Sequence, residues 1–337
     1  MNYFKYLAII LMFLTFYGEC QNFEYKVQFD GIGDNREFFS GLAYPQTILG
    51  SRGAFEVGVS VDEHRIRVGA SKLYEFGSSF DYHKPQIILY YQYLTKENEF
   101  LMGSFARRGR LNFPLAMLTD TLLYYRPNID GLYYESKWDW GRQNVFVDWT
   151  SRQTDTIREN FMAGFSGEIF YKNIFIENYF LMYHDAGPGI PIPNDNIKDY
   201  LGFMVLAGIR TGKEAIVDGY VKAGLLNSNF RERDVINGTV TGNSLYVEAF
   251  GKYKKYGIKT TLSTGDGHIF NYGDRFYRAK NYLRTDLLWY FINHKNIKAV
   301  FNVSLHLLNW NDLENQQQLS IIYKFGDKKP IKLSENN

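Results

Sequence analysis

Three arginines within four residues, Arg107, Arg108 and Arg110, followed by Asp120, form a dense group of potentially functional charge. A guanidinium stays charged at any physiological pH and offers a planar fork of donors. Its natural partner is therefore an anionic or hydroxyl-rich solute. The same connection runs on to Arg126 and contains Phe113-Pro114-Leu115-Ala116-Met117-Leu118, an apolar stretch that is costly to expose on a loop tip. Folded inward, it would set Arg107, Arg108, Arg110 and Asp120 at a constriction. The alternatives are an additional pair of strands or an outer cap.

A second set of charges recurs at alternate positions along the chain: Arg65, Arg67, Glu135, Asp148, Arg152, Glu168, Asp218, Lys222, Glu248, Arg284 and Asp286. On strands these would share one face. Such a mixed ladder can neutralise itself between neighbours. It can also impose a transverse field on a water-filled passage and so select polar solutes.

Motifs for catalysis are sparse. Paired cysteine ligands, a zinc-binding His-Glu-x-x-His helix and a phosphate-cradling loop are absent from the sequence. Gly164-Phe165-Ser166-Gly167 lacks the five-residue spacing of a nucleophile elbow and sits in a strand-like context. His184 and Asp185 are adjacent, but neighbours on a strand point to opposite faces and need not touch. Ser304 and His306 do share a face. The expectation is therefore a protein that is not an enzyme, with no cofactor, no metal and no nucleic-acid partner. Two segments rich in Asn, Asp, Arg and aromatics, Asn35–Gln46 and His268–Phe276, could suit sugar rings. They read more simply as solvated surface loops.

The elements that would position these residues are alternating strands. Phe23, Tyr25, Val27 and Phe29 interleave with Glu24, Lys26, Gln28 and Asp30, and the pattern returns with Leu319, Ile321, Tyr323 and Phe325. The segments run roughly 9–12 residues, the length of a tilted strand that crosses a bilayer. Ala299, Phe301, Val303, Leu305 and Leu307 would face lipid, opposite Lys298, Asn302, Ser304 and His306. Short polar turns are expected at Val61–His64, Thr95–Asn98, Gly141–Asn144, Tyr171–Asn173, Thr211–Glu214, Lys254–Gly257 and Asn293–Asn296. Longer connections lie between them. Seven such turns imply a closed, all-β antiparallel transmembrane β-barrel of about sixteen strands. Asp120–Tyr125 could itself be a strand, which would give fourteen or eighteen.

The composition agrees. Of 337 residues, 27 are Tyr and 27 are Phe, enough for aromatic girdles at both bilayer interfaces. The net charge of +2 gives no case for nucleic acid. Residues 1–20 have the form of a signal peptide, with Lys5, an apolar Leu7–Phe16 and small residues Gly18 and Cys20 before a cut ahead of Gln21. Cys20 is the only cysteine, so disulfides are not expected in the mature chain. The barrel would occupy 21–326, followed by a polar tail at 327–337.

Over this whole mature length the chain resembles Gram-negative outer-membrane barrels of the porin-like kind, in a Tyr/Asn/Lys-rich style similar to that of Bacteroidota proteins. The last strand, Gln318–Phe325, resembles the C-terminal signal read by the barrel-assembly machinery, although here the aromatic is not terminal. The resemblance implies short periplasmic turns, longer outer loops, contact with outer-membrane lipid and passive diffusion of small polar solutes. A homotrimer is among the assemblies it allows. The competing roles are secretion, surface assembly or adhesion, and lipid hydrolysis. Barrel hydrolases usually work at the outer, lipid-facing surface, whereas Ser304 and His306 are expected to face inward.

Overall fold

The computed structural model describes residues 22–79, 83–193, 195–212, 214–326 and 331–332. The expected signal peptide lies outside the described residues, as does the polar tail apart from Ile331 and Lys332.

Alternation builds the wall. Its strands are β1 (Asn22–Glu37), β2 (Gln46–Val61), β3 (His64–Glu75), β4 (Gln86–Leu94), β5 (Asn98–Ala106), β6 (Asn128–Trp138), β7 (Gly141–Ser151) and β8 (Asn160–Tyr171). They continue as β9 (Ile174–Asp185), β10 (Lys198–Arg210), β11 (Asp218–Glu232), β12 (Val240–Tyr253), β13 (Tyr256–Gly265), β14 (Asn281–Asn293), β15 (Ile297–Leu308) and β16 (Asp312–Phe325). Each pairs antiparallel with its sequence neighbour, and β1 pairs with β16 from Val27↔Phe325 to Glu37↔Asn315. That last ladder closes the sheet and leaves the wall no edge, the condition for placing strands in lipid. A two-residue β17 (Ile331–Lys332) pairs with Asn22 and Phe23 below the end of β16.

The faces follow the two-residue period. On β11, Val221 and Leu225 are exposed, whereas Lys222, Leu226 and Ser228 are buried. Aromatic side chains collect outside both ends of the wall. Tyr134, Trp140, Tyr171, Tyr256 and Trp289 mark the short-turn end, and Trp149, Tyr74, Phe76 and Trp310 mark the long-loop end. Rings of this kind hold a barrel at the two interfaces.

All the expected short turns occur, with one displaced. Gly141–Asn144 lies inside β7, and the reversal is at Asp139–Trp140. Asp62, Lys172 and Lys254 take positive φ of 50–53°, the left-handed conformation of tight hairpins. At the opposite end the β15–β16 connection is also tight, with Asn309 and Trp310 both at positive φ. The ambiguous Asp120–Tyr125 segment is not a strand. It contains a helical turn, α1 (Leu122–Tyr125), so the barrel has sixteen wall strands.

Candidate functional site

The connection between β5 and β6 folds into the barrel. Arg107 is 2% exposed and pins the base of this loop, because its guanidinium donates to the carbonyls of Arg126 and Asn128 and to Asp148. Arg107 is thus held in a clamp, and it also borders a lumen cavity. Arg108 approaches Asp30 at 3.9 Å. Arg110 pairs with Glu99 at 2.8 Å. Asp120 accepts from Gln318 at 2.9 Å, farther up the lumen.

A second loop, between β13 and β14, meets the first. Thr119 N–H donates to the Tyr272 carbonyl, and Asp274 N–H to that of Leu115. The approach is tight, since a Cβ at Gly273 would lie 2.2 Å from the Ala116 carbonyl oxygen. Gly202 on the wall is spared a Cβ for the same reason, with Phe270 and Met117 packed over it. Ala116, Met117, Phe276 and Tyr277 are at most 1% exposed and join Tyr90, Tyr133, Met162, Met204, Tyr246 and Tyr282 from the wall in one apolar cluster. Transfer of these side chains from water stabilises the plug by about 1.5–3 kcal/mol each. His268–Phe276, read from sequence as a solvated loop, is therefore largely interior. The spacing of Phe270, Phe276 and Tyr277 was the available signal.

His268 latches this loop to the wall. Its Nδ1 lies 2.8 Å from Ser228 Oγ and its Nε2 lies 2.7 Å from Ser244 Oγ. Burial lowers its pKa to about 4 and keeps the ring neutral. All three groups are at most 4% exposed, so this serine–histidine contact has no path for a substrate. Asp274 caps the 3-10 turn Arg275–Arg278 by accepting from Phe276 N–H, and burial raises its pKa.

The wall charges are mostly paired. Arg65 and Arg67 share Glu24. Glu135 meets Lys137 at 2.6 Å, and Glu168 meets Arg210 at 2.9 Å. Lys222 sits between Glu177 and Glu248, at 2.9 and 3.2 Å, while Tyr220 and Tyr246 donate to Glu248. Arg284 bridges Asp286 and Ser304. One of the expected lumen charges lies elsewhere, because its strand stops short of it: Arg152 is exposed in the loop after β7. Asp218 keeps the inward parity of Lys222 but is exposed, as the first residue of β11 at the short-turn end. Three cavities of about 630, 550 and 370 Å³ lie in the lumen among these groups.

The most chemically suggestive pair is on the other face of the wall. His184 shares outward parity with Ile174 and Ile176, and Asp199 with Phe203 and Val205, all of them exposed. The β9–β10 register sets His184 opposite Asp199, and His184 Nδ1 lies 2.6 Å from Asp199 Oδ1. Arg233 donates to the other carboxylate oxygen at 3.1 Å. Arg231 stands opposite Asp199 on β11 and is exposed. Phe161 flanks the imidazole at 5.3 Å and stacks on Trp149. Asp185, the sequence neighbour, faces inward and binds Arg158. His184 is thus an oriented base at the long-loop rim, on the side that meets lipid.

A sequence profile of the lipid A 3'-O-deacylase-type family matches residues 20–328. The chain belongs to that family. The family takes its name from an enzyme, which overturns the expectation of a non-enzymatic barrel. The His184–Asp199 contact itself is made across strands and leaves no local motif in the sequence. No curated protein matches the sequence. Among solved structures the chain is similar to Vibrio cholerae OmpT, at 10% identity, a TM-score of 0.56 and coverage of 91% of this chain and 99% of that one. It is also similar to Salmonella typhi OmpF in complex with daunomycin, at 10% identity, a TM-score of 0.53 and coverage of 90% and 98%. Pseudomonas putida OprB aligns at 9% identity, a TM-score of 0.52 and coverage of 96% and 97%. These likenesses establish an outer-membrane β-barrel fold.

Proposed function

We propose that the protein is an outer-membrane acyl-ester hydrolase acting on glycolipid of the outer leaflet, with His184 as general base. The observation that carries this reading is the outward His184–Asp199 pair at the long-loop rim. Membership of a deacylase-type family agrees with it. Asp199 accepts the Nδ1 proton and leaves Nε2 to take a proton from water. The resulting hydroxide equivalent adds to the ester carbonyl, and collapse of the adduct expels the sugar alkoxide. That alkoxide recovers the proton from the imidazolium, so the products are a fatty acid and a free hydroxyl. Arg231 and Arg233 supply positive charge for the developing oxyanion or for an anionic headgroup.

The test is incubation of the folded, detergent-solubilised protein with lipid A, followed by mass spectrometry of released fatty acid. Release that falls about 10²-fold or more in His184→Ala supports the assignment. Undiminished release in that variant removes His184 from the mechanism, and no release by the folded wild type removes the hydrolase reading. A second reading, passage of small polar solutes, is favoured by the cavities in the lumen. It predicts conductance in a planar bilayer.

A further inference from the structure

The largest cavity opens at the short-turn end, far from the His184 rim. Its walls come from β1, β3, β4, β5, β6, β7 and β16, and its roof from the first turn of the inward loop at Arg108, Gly109 and Arg110. Gly109 takes φ +86° there, so the loop reverses and returns both arginines to the cavity.

Among the described residues, the charge lining the cavity is uneven. Eight cationic side chains line it against three carboxylates, Glu24, Glu99 and Glu135. Two further acids, Glu56 and Asp30, stand in the wall behind, at 3.1 Å from Lys26 and 3.9 Å from Arg108. Even with both counted, the described lining carries more cations than carboxylates. Glu24 is divided between Arg65 and Arg67. Arg142 makes no salt bridge with any described residue, and the buried Nε of Arg110 has no hydrogen-bond partner. The Tyr90 and Tyr133 rings complete the lining. Walls of low dielectric around a confined cluster of one sign concentrate counter-ions inside it. At about 630 Å³ the space falls within the range of small-molecule sites.

From this charge excess we infer that the short-turn vestibule is a binding site for a small organic or inorganic polyanion bearing phosphate or carboxylate groups. Arg108 and Arg110 hold it from the roof, and Lys137 and Arg142 from the wall. The planar guanidinium forks favour anions that accept two parallel hydrogen bonds. Apolar packing of the loop above separates this site from the outer rim, so occupancy does not depend on ester hydrolysis.

The experiment is isothermal titration calorimetry of the folded protein in non-ionic detergent with inorganic pyrophosphate, citrate and, as an uncharged control, trehalose. The expected result is saturable binding of at least one anion, no binding of trehalose, and affinity that falls as salt is raised. Arg108→Gln combined with Arg142→Gln should weaken binding at least 10-fold, with folding verified by heat-modifiable migration on a gel. Lys137→Gln combined with Arg142→Gln provides the same reading without touching the loop. Absence of binding by the wild type overturns the inference, as does equal affinity in a folded double variant. Preference for pyrophosphate over citrate would assign the site to phosphate esters, and the reverse to carboxylates.

Discussion

His184 and Asp199 are fifteen residues apart in sequence and meet at 2.6 Å on the lipid-facing side of the β9–β10 ladder. The carboxylate fixes which imidazole nitrogen carries the proton, and Arg233 in turn fixes the carboxylate. Asp199→Asn keeps the shape but loses the charge, and with its one oxygen held by Arg233 its amide NH2 faces His184 and favours the wrong tautomer. Fatty-acid release from lipid A should fall by roughly 10²-fold or more, with folding unchanged. Arg233→Gln leaves the His184–Asp199 contact in place and should cost less. Comparable losses in the two variants would show that Arg233 does more than orient.

The plug rests on Arg107. Its guanidinium ties two loop carbonyls to Asp148 in a site that excludes water. Removing one partner of a buried charge network costs about 3–5 kcal/mol, because the remaining charge is left uncompensated. Arg107→Ala should release the β5–β6 loop and raise single-channel conductance above that of the wild type in a planar bilayer. An unchanged conductance would mean that the apolar contacts of Met117 and Phe276 hold the plug without it.

Much of this architecture was legible from sequence. Alternation at Val221, Ala223 and Leu225 against Lys222 assigns faces because the strand period is two, and only a barrel lets both faces of a membrane strand be satisfied. The apolar run Phe113–Leu118 made an inward loop the physically reasonable choice. What local pattern does not encode is register between strands and the docking of one loop on another. His184 finds Asp199 instead of Asp185 through β9–β10 register. Arg107 acts as a clamp because Asp148, on a different hairpin, lies beneath it.

The two faces respond differently to charge. Leu225 is 68% exposed at the middle of β11 and meets lipid. Leu225→Arg should cost roughly 2–4 kcal/mol in equilibrium refolding into lipid vesicles. Gln28→Arg, on a lumen position that borders the vestibule, should cost less than Leu225→Arg, because water reaches the new charge. Equal costs at both positions would contradict the assignment of faces.

The loop latch at His268 makes a pH-dependent prediction. Burial holds the imidazole pKa at about 4, below its ordinary value of 6.5. A depressed folded-state pKa means that the neutral ring favours the latched state, so latching is fully effective above pH 6.5. Between pH 6.5 and 4 the released state takes up a proton that the latched state refuses, and latching weakens steadily. Over the whole interval the linkage amounts to about 3 kcal/mol at most. Ser228 and Ser244 then face an imidazolium with no acceptor nitrogen left for either hydroxyl to donate to. Hydrogen exchange across Asp266–Lys280 should accelerate as pH falls through this window, after correction for the intrinsic rate. His268→Gln retains a donor and an acceptor, cannot titrate, and should abolish the acceleration. If the variant accelerates as the wild type does, the dependence belongs to Asp274 or another carboxylate.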